Sequence, residues 1–225
     1  EFRLVDRNVR FETESDWNWA DLVIISDEVY REYVYDGKQQ VSMLEFAEAA
    51  ENVVIIDSES KRYSMCGARI GCMITRSKKI HDAAILFAQA RLSPVLLGQI
   101  AATAAHKNDA EYIAKVREEY TNRRNLLVEL LNEIPGVICP KPKGAFYCGV
   151  ELPVDDTEKF AQWLLESYSN NNETIMVAPM GGFYSNPEQG KKQVRIAYVL
   201  KEDDLRRSVE LLEDALQKYK MEFGL

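Results

Sequence analysis

The chain alternates short apolar runs with longer segments whose apolar residues recur at helical spacing. The runs at 22–26 and 53–57 are typical of strands that are buried on both faces. Between them, residues 42–50 have a helical pattern, so the β-α-β order predicts a parallel strand pair with a crossover helix. A third strand is predicted at 69–75, and a helix follows it directly.

The second half of the chain does not keep this strict alternation. From Pro94 to Asn132 the spacing is helical and predicts two helices or one kinked helix, which the sequence IPG at 134–136 ends. Further strands are predicted at about 137–139, 145–151, 175–178 and 193–199, and helices at about 156–169 and 202–219. The pattern therefore predicts an α/β domain at 1–91 and a smaller α+β domain at 92–225 that begins with a linking helix. Residues 1–20 show no sustained period.

The composition excludes several classes of partner. Hydrophobic residues make up 46% and charged residues 28% of the 225, as in globular proteins, and the net charge of −8 gives little support for a nucleic-acid partner. The longest apolar runs, LVII and VVII, are too short to span a bilayer. Four cysteines without a CxxC pair and two histidines do not predict a metal site or disulfides. We therefore expect a cytoplasmic protein that binds neither nucleic acid nor membrane.

Polar side chains follow both confident strands at their carboxyl ends, in the sequences SDEVY and DSESK. Ligands of open parallel sheets bind at this edge. The sequence thus predicts one site there, with a carboxylate, a phenol, an amine and two hydroxyls. The residues are Asp27, Tyr30, Ser58, Ser60 and Lys61.

Each of these residues also has a plainer interpretation. Asp27 could cap the turn after its strand, Tyr30 could be a half-buried aromatic, and the two serines could form a turn around a solvated lysine. Arg69, eight residues after Lys61, could pair with a surface acid. Taken together, however, the set offers what an aldehyde cofactor with a phosphate group and a pyridine ring needs.

Five motifs occur in an order that resembles the second half of a class I/II aminotransferase of the aspartate aminotransferase type. They are DEVY, SESKRYSMCGARIG, KGAFY, VAPMGGFY and VRIAYV. Enzymes of this family use pyridoxal 5′-phosphate and have the fold called type I. The resemblance covers the chain from about Asp21 to its end. It implies part of a large cofactor-binding domain with a mainly parallel sheet, a smaller α+β domain, and a homodimer with shared active sites.

The resemblance also assigns catalytic roles around the cofactor ring. Lys61 would form the Schiff base with the aldehyde and, once a substrate amine displaces it, move the α-proton of the substrate. Asp27 would pair with the pyridine nitrogen and keep it protonated, so that the ring accepts electrons. Tyr30 would hydrogen-bond the phenolic oxygen of the ring.

The remaining roles concern the phosphate and the substrate. Ser58 and Arg69 would bind the phosphate, with Ser60 as a further candidate. Arg195 would clamp the substrate α-carboxylate, because its planar fork matches a carboxylate bidentately. From the pattern alone, Arg195 could equally face water on an edge strand. Gly181, Gly182 and Phe183 would form a loop beside the substrate.

The resemblance therefore predicts transfer of an amino group between an amino acid, for example aspartate, and a 2-oxo acid. Two alternatives stay open at this point. The chain could be a truncated or degenerate member that acts through assembly or binding, or it could catalyse another α-carbon reaction such as β-elimination. Without the first half of the fold, a strand edge and apolar faces are expected to be exposed.

Overall fold

The computed structural model describes residues 23–107 and 109–224, which form two compact units. The first unit holds residues 23–29 and 41–107, and the second holds 30–40 and 109–224. The unpatterned residues 1–20 and the start of the first predicted strand lie outside the described residues. The domain division at residues 91 and 92 stays a prediction.

The first unit contains a three-stranded sheet of β1 (Ile24–Asp27), β2 (Val53–Ser58) and β3 (Gly71–Thr75) in that order. β1 and β2 run parallel, as predicted. β2 and β3 run antiparallel. This sheet is therefore mixed, and the expectation of a mainly parallel sheet holds for only one of its two strand pairs.

The direction of β3 follows from the short connection before it. This connection contains a single helical turn, α1 (Glu59–Arg62), and two residues in the left-handed conformation, Ser64 and Arg69, at φ values of 54° and 56°. No crossover helix intervenes, so the chain reverses on itself and Ser58 pairs with Gly71. Residues 58–71 therefore form a hairpin.

The segment predicted as a crossover helix at 42–50 consists of two 3₁₀ segments, Met43–Glu45 and Ala47–Asn52. Ser42 starts the first of them with a reciprocal capping box. Phe46 then adopts an extended conformation, with φ −89° and ψ 96°, and interrupts the helix. Apolar spacing alone does not distinguish two such short pieces from one α-helix.

The first unit has a small core. Its two longer helices are α2 (Lys78–Arg91), which contains no buried residue, and α3 (Leu96–Ala105). Phe87 and Leu97 on these helices are 78% and 76% exposed. The expected exposure of apolar faces is therefore present. The buried apolar cluster consists of Ala49, Val53 and Ile55.

Helix α3 contacts hairpin 58–71 at two points. A Cβ atom added at Gly98 would lie 2.7 Å from the carbonyl oxygen of Ala68 and 2.9 Å from Cγ1 of Ile70. At the other end of α3, Nε2 of His106 lies 3.0 Å from Oε1 of Glu59. The hairpin is thus held against α3 by close backbone approach and by a polar contact.

The second unit packs three helices and an antiparallel sheet around the larger core. The sheet order is β4-β6-β5, with β6 in the centre. Its elements are α4 (Asp109–Glu133), β4 (Tyr147–Glu151), α5 (Thr157–Glu166), β5 (Ala178–Pro179), β6 (Gln193–Ala197) and α6 (Glu202–Phe223). Fully buried members of the core include Leu131, Val150, Phe160, Val194 and Tyr198.

Two predictions for residues 94–139 have clear outcomes. The helical stretch from Pro94 to Asn132 is two helices, α3 and α4. The predicted strand at 137–139 is reduced to a single bridge between Ile138 and Glu151. Within the described ranges, no helix combines the length and the apolar character that crossing a membrane requires.

A fully buried arginine fixes the segment 30–40 to α4. Arg124 donates from Nη1 and Nη2 to the two carboxylate oxygens of Asp36, at 3.0 and 2.8 Å, and from Nη1 to the Pro142 carbonyl oxygen at 3.0 Å. Its guanidinium carbon lies 4.5 Å from the ring centroid of Tyr35. These hydrogen bonds lower the pKa of Asp36 from its ordinary value.

We expect Asp36→Asn to destabilise the chain at neutral pH and to change the pH dependence of its stability. Because the folded pKa of Asp36 is lowered, its contribution is present above the ordinary value of 3.8 and is lost as the pH falls through the folded value. The difference in unfolding free energy between wild type and variant should therefore shrink below about pH 4. Urea denaturation between pH 3 and 7 measures it, with the exposed Glu129→Gln on α4 as control. A constant difference across that range would contradict this prediction.

We expect Gly98→Ala to destabilise the chain by about 1 to 3 kcal/mol, because the added methyl group overlaps the Ala68 carbonyl oxygen. Helix propensity alone predicts the opposite, a gain of about 1 kcal/mol. The exposed Ala101→Gly on the same helix is the control for propensity. Urea denaturation gives the sign, and a stabilised Gly98→Ala chain would exclude the close approach.

Candidate active site

The carboxyl ends of β1 and β2 place two of the predicted residues on one face of the first sheet. Asp27 pairs with Ile56 in parallel register, and Ser58 lies two residues further along β2. Because side chains two apart on a strand face the same side, Asp27 and Ser58 share a face. Asp27 is exposed, and its Oδ1 accepts from the backbone N–H of Val29 at 3.2 Å. The turn-capping role is thus present, and it uses one of the two carboxylate oxygens.

The lysine lies in a helical turn that begins with two contacting serine hydroxyls. Ser58 is the N-cap of α1, and its Oγ accepts from the N–H of Ser60 at 3.0 Å. The two serine Oγ atoms are 2.8 Å apart. Lys61 is half-buried in the same turn. The serines do form the turn, and their two hydroxyls lie in the turn that carries the lysine.

Arg69 returns to this turn because the hairpin closes. Ser58 pairs with Gly71, and the carbonyl oxygen of Ile70 accepts from the N–H of Glu59 at 3.2 Å. Arg69 is exposed, and its Nη1 donates to the Cys66 carbonyl oxygen at 2.8 Å. A left-handed conformation at an arginine is strained, and such strain concentrates at functional sites.

A buried ion pair anchors the lysine turn from the opposite face of the sheet. Nη2 of Arg62 lies 2.7 Å from Oδ2 of Asp57, and both side chains are less than a tenth exposed. Nη1 of Arg62 also lies 4.0 Å from Oε2 of Glu59. These charged residues lie on both sides of Lys61 in the sequence and tie α1 to β2, so they restrict how the turn can move.

Sequence reasoning missed these supporting residues. Glu59 and Arg62 are three apart, which is a signal for an ion pair within one turn. The contact with His106 gave no local signal. Its Nε2 lies 3.0 Å from Glu59 Oε1 and its Nδ1 lies 3.1 Å from Tyr63 Oη, so a neutral ring can donate to the carboxylate and accept from the phenol.

In the second unit, Tyr30 belongs to an aromatic cluster. Its ring centroid lies 5.1 Å from that of Phe146 and 5.2 Å from that of Tyr147, and both contacts are edge-to-face. Tyr30 is half-buried, as its plainer interpretation expected.

Arg195 lies on the central strand β6 and not on an edge strand, although its side chain does face water. Its partners in the ladder are Gly149 on β4 and Ala178 on β5. The guanidinium carbon of this exposed residue lies 5.0 Å from the ring centroid of Tyr147 and 5.1 Å from that of Phe183. Within the described ranges, Arg195 forms neither an ion pair nor a hydrogen bond through its side chain.

The donor set of the first unit fits pyridoxal 5′-phosphate chemically. Lys61 offers an amine for the aldehyde, the Ser58 hydroxyl and the Arg69 guanidinium offer donors for phosphate oxygens, and Asp27 offers a carboxylate for a ring nitrogen. All four come from the carboxyl ends of β1 and β2 or from hairpin 58–71.

Known proteins that this chain resembles are aminotransferases. The family model described as "Aminotransferase class I and II" matches residues 16–212. An aspartate aminotransferase from Bacillus subtilis is 33% identical over 212 residues, which cover 89% of this chain and 49% of that protein.

Solved structures are similar as well. An aromatic aminotransferase from Pyrococcus horikoshii has a TM-score of 0.76 at 30% identity, over 89% of this chain and 52% of its own. An aspartate aminotransferase from Thermus thermophilus, solved with maleate, has a TM-score of 0.73 at 27% identity, over 87% and 48% of the two chains.

These relatives identify the family and show how much of the relatives' length this chain covers. The chain spans about half the length of the relatives that it matches. The match of the family model nevertheless covers most of the chain, including every predicted site residue. The chain therefore belongs to the class I and II aminotransferase family.

Proposed function

We propose that this chain carries part of a pyridoxal 5′-phosphate site that transfers an amino group between an amino acid and a 2-oxo acid. The observation that carries the proposal is hairpin 58–71, which closes so that Lys61 and Arg69 extend from one short loop next to Ser58. An amine and a phosphate-binding pair in one loop match the two ends of the cofactor. Aspartate is the first amino donor to test, because relatives bear the name aspartate aminotransferase.

In this proposal, the residues of the first unit hold the cofactor and move protons. When bound, the cofactor supplies an aldehyde that bonds amines and a ring that accepts electrons. Lys61 would hold the cofactor through its aldehyde, and once a substrate amine has displaced it, the freed lysine amine would take and return the proton at the substrate α-carbon. Asp27 holds a proton on the pyridine nitrogen. Ser58 and Arg69 hold the phosphate oxygens, and the Ser60 hydroxyl is within reach of Ser58 to assist.

Two residues of the second unit complete the proposal. The Tyr30 hydroxyl donates to the ring oxygen of the cofactor. Arg195 would hold the substrate α-carboxylate, and this role is supported by the small, uncharged residues directly paired with it on both neighbouring strands.

The assembly belongs to the same proposal. A homodimer in the cytoplasm, as the family resemblance implies, would cover part of the apolar surface of α2 and α3. Phe87 and Leu97 have the highest fractional exposure among the large apolar side chains of these two helices. Exposed apolar patches of this kind mark association surfaces.

We expect borohydride reduction of the chain with pyridoxal 5′-phosphate to give one labelled lysine, Lys61. Lys61 lies in the same hairpin as the proposed phosphate donors, so the aldehyde should reach this amine preferentially. Peptide mass mapping identifies the lysine. Lys61→Ala should lose the label, and Lys107→Ala, an exposed lysine in the same unit, should keep it.

Labelling spread over many lysines and unchanged in Lys61→Ala would contradict the cofactor role. If the label is specific, aspartate is then added to the loaded chain without reduction. Formation of the matching 2-oxo acid supports transfer of the amino group. Specific labelling without any 2-oxo acid from aspartate or other amino acids would restrict the chain to cofactor binding.

A further inference from the structure

Small residues paired with Arg195 and an aromatic ring beside it define the environment of its side chain. Gly149 and Ala178, the residues directly paired with it, are too small to cover its side chain. Two residues of β4 share this face diagonally across the ladder, Tyr147 two positions before Gly149 and Glu151 two positions after it, and the aromatic one is Tyr147. Its ring lies 5.0 Å from the guanidinium carbon, within the range of a cation–π contact.

Tyr147 is itself held in place by other rings. It makes edge-to-face contacts with Tyr30 at 5.2 Å and 75° and with Phe146 at 5.4 Å and 75°. These contacts restrict the rotation of the Tyr147 ring. The Tyr147 ring therefore presents a fixed surface to the guanidinium of Arg195.

Phe183 provides the second surface. It lies in the 3₁₀ segment Gly181–Phe183, is 57% exposed, and its ring centroid is 5.1 Å from the Arg195 guanidinium carbon. The planar guanidinium therefore has one aromatic neighbour from a strand, Tyr147, and one from a loop, Phe183. A carboxylate can still bond its N–H groups, because these lie in the guanidinium plane and point away from its faces.

We infer that Tyr147 is a positioning residue that fixes the plane of the Arg195 guanidinium for bidentate binding of a carboxylate, with Phe183 as the second aromatic neighbour. The inference rests on the proposed role of Arg195 in binding the substrate carboxylate. The ring of Tyr147 carries this function, and its hydroxyl is not required.

The test measures carboxylate binding at Arg195 without turnover. Phenylglyoxal, which modifies guanidinium groups, labels the chain at increasing maleate concentrations, and mass mapping follows the rate at Arg195. The maleate concentration that halves this rate is the readout. The variants are Tyr147→Leu, Tyr147→Phe and Phe183→Leu, with Tyr112→Leu on α4 as the control.

We expect half-protection of Arg195 in Tyr147→Leu to need about three to ten times more maleate than in the wild type, because one cation–π contact is lost. Tyr147→Phe and Tyr112→Leu should match the wild type, because neither removes a ring beside Arg195. Wild-type protection in Tyr147→Leu would overturn the inference.

Two further outcomes separate this inference from the proposed function. If maleate fails to protect Arg195 in the wild type, the proposed carboxylate role of Arg195 fails, and the inference fails with it. If Tyr147→Leu does not fold, the exposed Phe183→Leu decides. A threefold or greater weakening there supports aromatic positioning, and unchanged protection overturns it.

Discussion

The antiparallel pairing of β2 with β3 is the constraint on which the candidate cofactor site depends. Ser58 pairs with Gly71, so the residues between them must return within a short hairpin. Lys61 and Arg69 lie in that hairpin, eight residues apart in sequence, and the reversal brings the arginine back to the start of the lysine turn. The contacts of Gly98 with Ala68 and of His106 with Glu59 hold the hairpin against α3. An amine and a guanidinium are thereby presented from one supported loop.

The local pattern of apolar residues predicted where strands and helices occur better than it predicted the relative directions of the strands. The apolar runs at 22–26 and 53–57 correspond to β1 and β2. The predicted burial holds for β2 but not for β1, which contains no buried residue. An apolar run looks the same in either direction, so the sequence could not show that β3 runs antiparallel. The segment 42–50 has helical spacing over too few residues to distinguish 3₁₀ turns from an α-helix.

The candidate site was predictable where motifs cluster and not where partners are distant in sequence. Asp27, Ser58 and Lys61 follow strands and could be placed at a sheet edge from the pattern. The pairs Glu59–His106 and Asp36–Arg124 join residues 47 and 88 positions apart, and such contacts leave no periodic signal. The central position of Arg195 also depended on the order β4-β6-β5, which the chain order alone does not give.

The central claim is that hairpin 58–71 binds the aldehyde end of the cofactor at Lys61 and the phosphate end at Arg69. Equilibrium binding of pyridoxal 5′-phosphate and of pyridoxal, which lacks the phosphate, tests it directly in Arg69→Gln and in the exposed control Arg76→Gln. Loss of charge-assisted hydrogen bonds should weaken binding of the phosphorylated form by about tenfold or more in Arg69→Gln. Pyridoxal binding should be unchanged, and the control should match the wild type. Equal losses for both ligands, or no loss for either, would contradict the account.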